Sequence, residues 1–145
     1  MLNKSPVIAA ALAALFAAPV LADPIEDRQA IMKERGQIMR TLGPIAQGNQ
    51  PFDAATVLAA LEEMNANAQR TDVTALYPEG SVGGGSEAAP TIWEDLAGFT
   101  EISDKFKTDA AAAVEAAPQD LESFRAVFGP MASNCGACHE RFRLD

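Results

Sequence analysis

Residues 134–143 read NCGACHERFR. Cys135 and Cys138 stand three apart, and His139, the only histidine in the chain, follows the second directly. On a helix these are positions i, i+3 and i+4, so all three share one face. The apolar residues around them (Phe124, Phe128, Met131 and Phe142) predict that this face turns inward. Two thiols and one ring nitrogen on a buried face need a flat, apolar partner with two sites for sulfur and one for nitrogen. Haem meets that description: the thiols attach to its vinyl groups as thioethers, and the imidazole binds the iron. C-x-x-C-H is the signature of c-type haem attachment.

Four other chemistries fit less well. Structural zinc takes four ligands, and this chain offers two cysteines and one histidine. A redox C-x-x-C belongs in a βαβ setting, and no alternating strand pattern of useful length is present. A Cys/His catalytic pair usually brings residues together from distant parts of the chain. A disulfide between residues three apart would close too short a loop to stabilise much by chain entropy. The reading is one covalent haem c, held by Cys135 and Cys138, with His139 as an iron ligand.

The N-terminus agrees with haem attachment outside the cytoplasm. Lys4 precedes an apolar run, VIAAALAALFAA, and VLA ends at Ala22 with small residues at the recognition positions. This is a signal-peptide pattern, too short to span a bilayer comfortably. Residues 1–22 are read as a signal peptide and residues 23–145 as one exported domain, with a periplasmic location. The full chain carries 20 acidic and 11 basic residues, a formal charge of −9. Removal of Lys4 makes it one unit more negative. Such a charge disfavours a nucleic-acid partner and steers the protein towards basic patches on other proteins.

Four helical patterns must position the motif. The first runs from Pro24 to Gln47, with Asp23 as N-cap and Ile25, Ile31/Met32, Ile38/Met39, Leu42 and Ile45 inward. The second starts after Asp53, carries Ala54, Leu58, Leu61, Met64 or Asn65, and Ala68 inward, and ends near Arg70 or Thr71. Residues 77–90, YPEGSVGGGSEAAP, form the main loop. The third runs from Thr91 to Ala117 with Ile92, Leu96, Phe99, Ser103, Phe106, Ala110, Ala113 and Ala117 as its seam. The fourth runs from Gln119 to Phe142, with a kink expected at Gly129-Pro130. Trp93 should pack between helices with its N–H bonded. The fold class is all-α, an antiparallel four-helix bundle with the haem near the C-terminus of the fourth helix.

With these elements in place, the chain resembles the class II c-type cytochromes: cytochrome c′ and its low-spin relatives. The resemblance rests on CGACHERFR near the C-terminus, GPIAQGNQPFDAATV at residues 43–57 and PTIWED at residues 90–95. It implies that Cys135 and Cys138 are the thioether cysteines and His139 the proximal ligand. It implies that Arg28 lies at the haem edge and Arg143 beside the proximal histidine, both tuning the haem electrostatically. It also implies that Met32 faces the distal side, where low-spin members carry a methionine ligand. Dimerisation through the first two helices is common in cytochrome c′.

Two functions follow. If Met32 closes the sixth position, the protein is a one-electron carrier among periplasmic redox proteins, which the segment RQAIMKERGQIM favours by resemblance. If the position is open, it is a five-coordinate cytochrome c′ that binds nitric oxide or carbon monoxide. An enzymatic role lacks an acid/base residue over the open face, since the one histidine is already used.

Overall fold

In the computed structural model, which describes residues 23–144, the chain enters its first helix where the sequence supplies a cap. The Asp23 carboxylate accepts the Ile25 N–H at 2.9 Å and Pro24 occupies the first turn, so α1 spans Pro24–Ala46. Pro44 sits in its last turn, and its carbonyl accepts the N–H groups of Asn49 and Gln50. The signal-peptide segment lies outside the described residues.

Asp53 caps α2 (Ala54–Gln69) by accepting the Thr56 N–H at 2.8 Å. A one-turn helix follows, α3 (Val73–Leu76), capped by Asp72. The loop at residues 77–90 then crosses the molecule. Gly83, Gly84 and Gly85 all have positive φ. At Gly84 a Cβ would also meet the Ile25 side chain at 3.4 Å, so glycine suits both the backbone and the close approach to α1.

The expected third helix is divided. A short α4 (Thr91–Glu94) is followed by α5 (Leu96–Ala116). Asp95 causes the break: its backbone leaves the helical region (φ −133°, ψ 59°), and its carboxylate accepts the Gly98 N–H to cap α5. The break rotates the two segments against each other. Leu96, placed on the inward seam by a continuous helix, is 45% exposed. Beyond it the seam holds, with Phe99, Phe106, Ala110 and Ala113 buried.

Asp120 and Ser123 form a reciprocal capping box for α6 (Leu121–Phe142). The helix continues through Pro130 with no interruption at the expected kink. An isolated antiparallel bridge joins Ala88 to Arg143 just beyond it.

Helices α1, α2, α5 and α6 make the bundle: α5 packs against α2 and α6, and α1 against α2 and α6. On α2 the buried stripe is Val57, Ala60, Leu61, Met64, Asn67 and Ala68, so Val57 rather than Leu58 faces fully inward. Two apolar clusters result. The larger contains Leu42, Leu61, Met64, Phe106, Phe124 and Met131. The smaller contains Ile31, Leu76, Tyr77, Ile92, Phe99 and Phe142. Cys135 packs against the first and Cys138 against the second, so the motif lies where the clusters meet.

Candidate haem site

A cavity of about 580 Å³ opens at that junction. Helix α6 gives it Cys135, Cys138 and His139, and α1 gives it Arg28, Met32, Arg35 and Met39. Phe99 and Phe106 of α5 supply aromatic wall. The space is of small-molecule size, mostly apolar, with a few polar groups converging on it.

The thiols of Cys135 and Cys138 are free and half-buried. Burial pushes both thiol pKa values up, while the Arg35 guanidinium pulls them back. Both sulfurs are therefore protonated thiols at neutral pH, which keeps extra charge out of an apolar cavity. His139 is not buried with them. It lies at the rim with its side exposed, because one residue past Cys138 is a rotation of about 100° around the helix. Partial burial, then Arg143 and Arg35, hold its pKa below the ordinary histidine value, against an opposing pull from Glu87. The imidazole is therefore neutral near pH 7, the form that binds metal.

Of the four methionines in the described residues, Met64 and Met131 are fully buried in the larger cluster. Met39 borders the cavity but also packs on that cluster. Met32 borders the cavity, is half-buried and belongs to neither cluster.

Arg28 is only 3% exposed and serves the loop. It donates to the Leu76 carbonyl at 3.2 Å, to the Ser81 hydroxyl and carbonyl at 2.9 and 2.5 Å, and to the Ser86 hydroxyl at 2.7 Å. Its guanidinium lies 5.0 Å from the Tyr77 ring centre. Its Nε is buried with no partner among the described residues, an orphan donor beside the cavity. Arg143 is exposed, with its Nε donating to Glu87 at 2.7 Å. Its backbone N–H donates to the His139 carbonyl, and the Glu87 carbonyl accepts the Leu144 N–H, so the loop is laced to the strand of chain leaving α6. Trp93 Nε1 donates to the carbonyls of Tyr77 and Pro78, both at 3.2 Å.

Sequence reasoning missed four residues of this region: Arg35, Asn67, Thr71 and Tyr77. The Arg35 guanidinium reaches inward, donating to Asn67 Oδ1 at 2.9 Å and to the Thr71 hydroxyl at 3.1 Å. Asn67 is fully buried and donates to the Ile31 carbonyl at 3.0 Å. Position 35 falls one turn after Met32 and two after Arg28, so its face was legible; the polar partners on α2 were not.

The residues present fit haem. Two free thiols at one cavity edge, a neutral imidazole at its rim and a buried donor without a partner are the groups such a ligand would engage. Comparison with known proteins agrees. The family model described as Cytochrome C' matches residues 23–143. Cytochrome c-556 of Agrobacterium fabrum (strain C58) is 37% identical over 120 residues, covering 83% of this chain and 80% of that protein. Cytochrome c' of Rhodopseudomonas palustris is 34% identical over 122 residues, covering 83% and 82%. The solved cytochrome c prime from Shewanella frigidimarina superposes with a TM-score of 0.79 at 29% identity, over 88% of this chain and 99% of that one.

Proposed function

The chain belongs to the cytochrome c′ family of haem c proteins, and from that premise we propose that it is a periplasmic one-electron carrier with His139 and Met32 as axial ligands. Haem c, when bound, supplies an iron that cycles between ferrous and ferric. Cys135 and Cys138 would hold it to α6 through thioether links. His139 would offer the iron a neutral ring nitrogen, and Met32 of α1 a thioether, a soft ligand that favours reduced iron.

The observation that supports this best is the placement of Met32. It borders the cavity without being committed to either apolar cluster. A methionine serving only as filler would be expected to pack as Met64 and Met131 do. No helix among the described residues is long and apolar enough to cross a membrane. Export by the N-terminal segment would place the acidic chain among periplasmic redox proteins, where basic patches would attract it.

The test is the visible spectrum of the holoprotein, oxidised and reduced, with and without carbon monoxide, for the natural chain and Met32→Ala. Expected are sharp, split reduced bands that carbon monoxide barely disturbs, and an open, carbon-monoxide-sensitive iron in Met32→Ala. Broad high-spin bands in the natural chain would instead assign it to gas binding, with Met32 as packing. Gly36, which presents no side chain to the cavity wall, leaves room for such a ligand. Absence of haem after expression with attachment machinery would refute both.

A further inference from the structure

Arg35 is a cation placed where cations are seldom left alone. Its guanidinium is hydrogen-bonded to Asn67 and Thr71, both neutral, and lies 4.4 Å from the Phe106 ring centre. One Nη stands 3.9 Å from Met32 Sδ. Among the described residues no carboxylate forms an ion pair with it: Glu34, the acidic residue beside it on α1, is paired with Arg70. Burial destabilises the charged guanidinium, and its field reaches Cys135, Cys138 and His139 alike. Arg28, the buried arginine of α1, differs: four hydrogen bonds tie it to α3 and the loop, whereas Arg35 is half-buried at the cavity wall.

Holding a half-buried positive charge at an apolar wall carries a desolvation cost. Asn67 and Thr71 are themselves buried, so the fold commits two further polar side chains to holding this charge at the cavity wall. Arginine stays protonated even when buried, so the charge is permanent. A fixed positive charge beside an iron that is ferrous or ferric opposes the extra charge of the ferric state.

We propose that Arg35 is the residue that sets the redox poise of this site: its guanidinium, fixed by Asn67 and Thr71 over Phe106, biases the haem iron towards the ferrous state. This rests on covalent haem at Cys135 and Cys138, and not on which group takes the sixth position. The effect comes from charge. Lysine keeps it, and glutamine or methionine of similar length removes it.

Spectroelectrochemical titration of the holoprotein tests the assignment. At fixed ambient potential, Arg35→Gln lowers the ferrous-to-ferric ratio about tenfold, a fall of about 59 mV for one electron. The absorption bands keep their shape, so the iron ligands are undisturbed. Arg35→Lys stays within about threefold of the natural chain. Arg40→Gln, an exposed α1 charge, moves the ratio less than about twofold, and only at low salt. The Arg35→Gln shift persists in high salt because the guanidinium is half-buried against Phe106, where salt screens it less than a surface charge. Arg35→Met carries the same test if the glutamine variant does not load haem. A midpoint unmoved by charge removal, or a lysine variant falling as far as glutamine, overturns the proposal. So does a shift accompanied by changed bands, which would make Arg35 a support for Met32. Failure of the natural chain to load haem is a separate result, and refutes the reading on which this one rests.

Discussion

Replacing Arg28 with methionine should release the loop at residues 77–90 from α1 and destabilise the protein by about 4 kcal/mol. The magnitude follows from the contacts. Four hydrogen bonds run from one buried guanidinium to Leu76, Ser81 and Ser86. At about 1 kcal/mol net each they sum to about 4 kcal/mol. Two opposing effects are smaller. Removal leaves the buried Leu76 carbonyl without this donor, which costs a further 1 kcal/mol or so. Methionine covers the Tyr77 ring with an apolar, polarisable chain, which returns a similar amount, and the desolvation of the guanidinium is already contained in the net figure per bond. For a domain of this size 4 kcal/mol lowers Tm by about 15 °C. The assay is thermal unfolding of the holoprotein together with amide hydrogen exchange. The amides of residues 79–86 should lose protection well before those of α2 and α5, because the loop's other moorings lie mostly at its two ends: Trp93 to Tyr77 and Pro78, and Glu87 to Ala89 against Phe142, Arg143 and Leu144, with only Gln29 donating to the Gly84 carbonyl between them. A loss below about 1 kcal/mol with unchanged loop protection would refute this reasoning. Arg28 would then be a haem-edge group whose loop contacts are incidental.

Two further outcomes follow from the helix ends. Ala117 closes α5 at φ 42°, ψ 63°, a left-handed conformation in which an L side chain is strained; Ala117→Gly should stabilise the protein by about 1 kcal/mol, read as a higher urea midpoint at unchanged m. The carboxyls of Asp53 and Asp120 are held below the ordinary Asp value, the first by the Thr56 hydroxyl and N–H and the second by the Ser123 N–H and hydroxyl. Their folded pKa values lie below the unfolded ones, so their contribution is complete above about pH 4 and lost as pH falls through the lower folded values. Asn caps nearly as well as Asp, so a double Asp→Asn variant should match the natural Tm at pH 7 and show a flatter decline between pH 4 and 2. Parallel declines would show that the caps carry no pH-linked stability.

Much of the fold was legible because local chemistry and periodicity agree. Asp23 and Asp53 each stand before a periodic apolar run and each caps a helix, while Asp120, placed inside the fourth helix by the apolar pattern, is its cap instead. The Cys135–Cys138–His139 spacing, on an apolar helix face and with no other cysteine or histidine in the chain, pointed to haem c. The same periodicity failed at Asp95, where a side chain competed with the backbone for the Gly98 N–H and split a helix that apolar spacing made continuous. It also missed His139 standing at the rim rather than inside, because a three-residue motif on a cylinder spans more than the buried arc.

The sequence by itself determined which residues can bond to haem, that the chain is helical and where most helices begin, because these depend on neighbours within one or two turns. Only the tertiary structure decided what the buried polar residues are for. Arg28 could have been a solvated surface arginine, and it became the clamp of a loop some fifty residues away. Arg35 carried no signal of its own in the sequence, and α2 and α5 made it a fixed cation at the cavity wall. A charged side chain can be buried only where distant segments supply its partners, and no local pattern in α1 records where Asn67, Thr71 and Phe106 will stand.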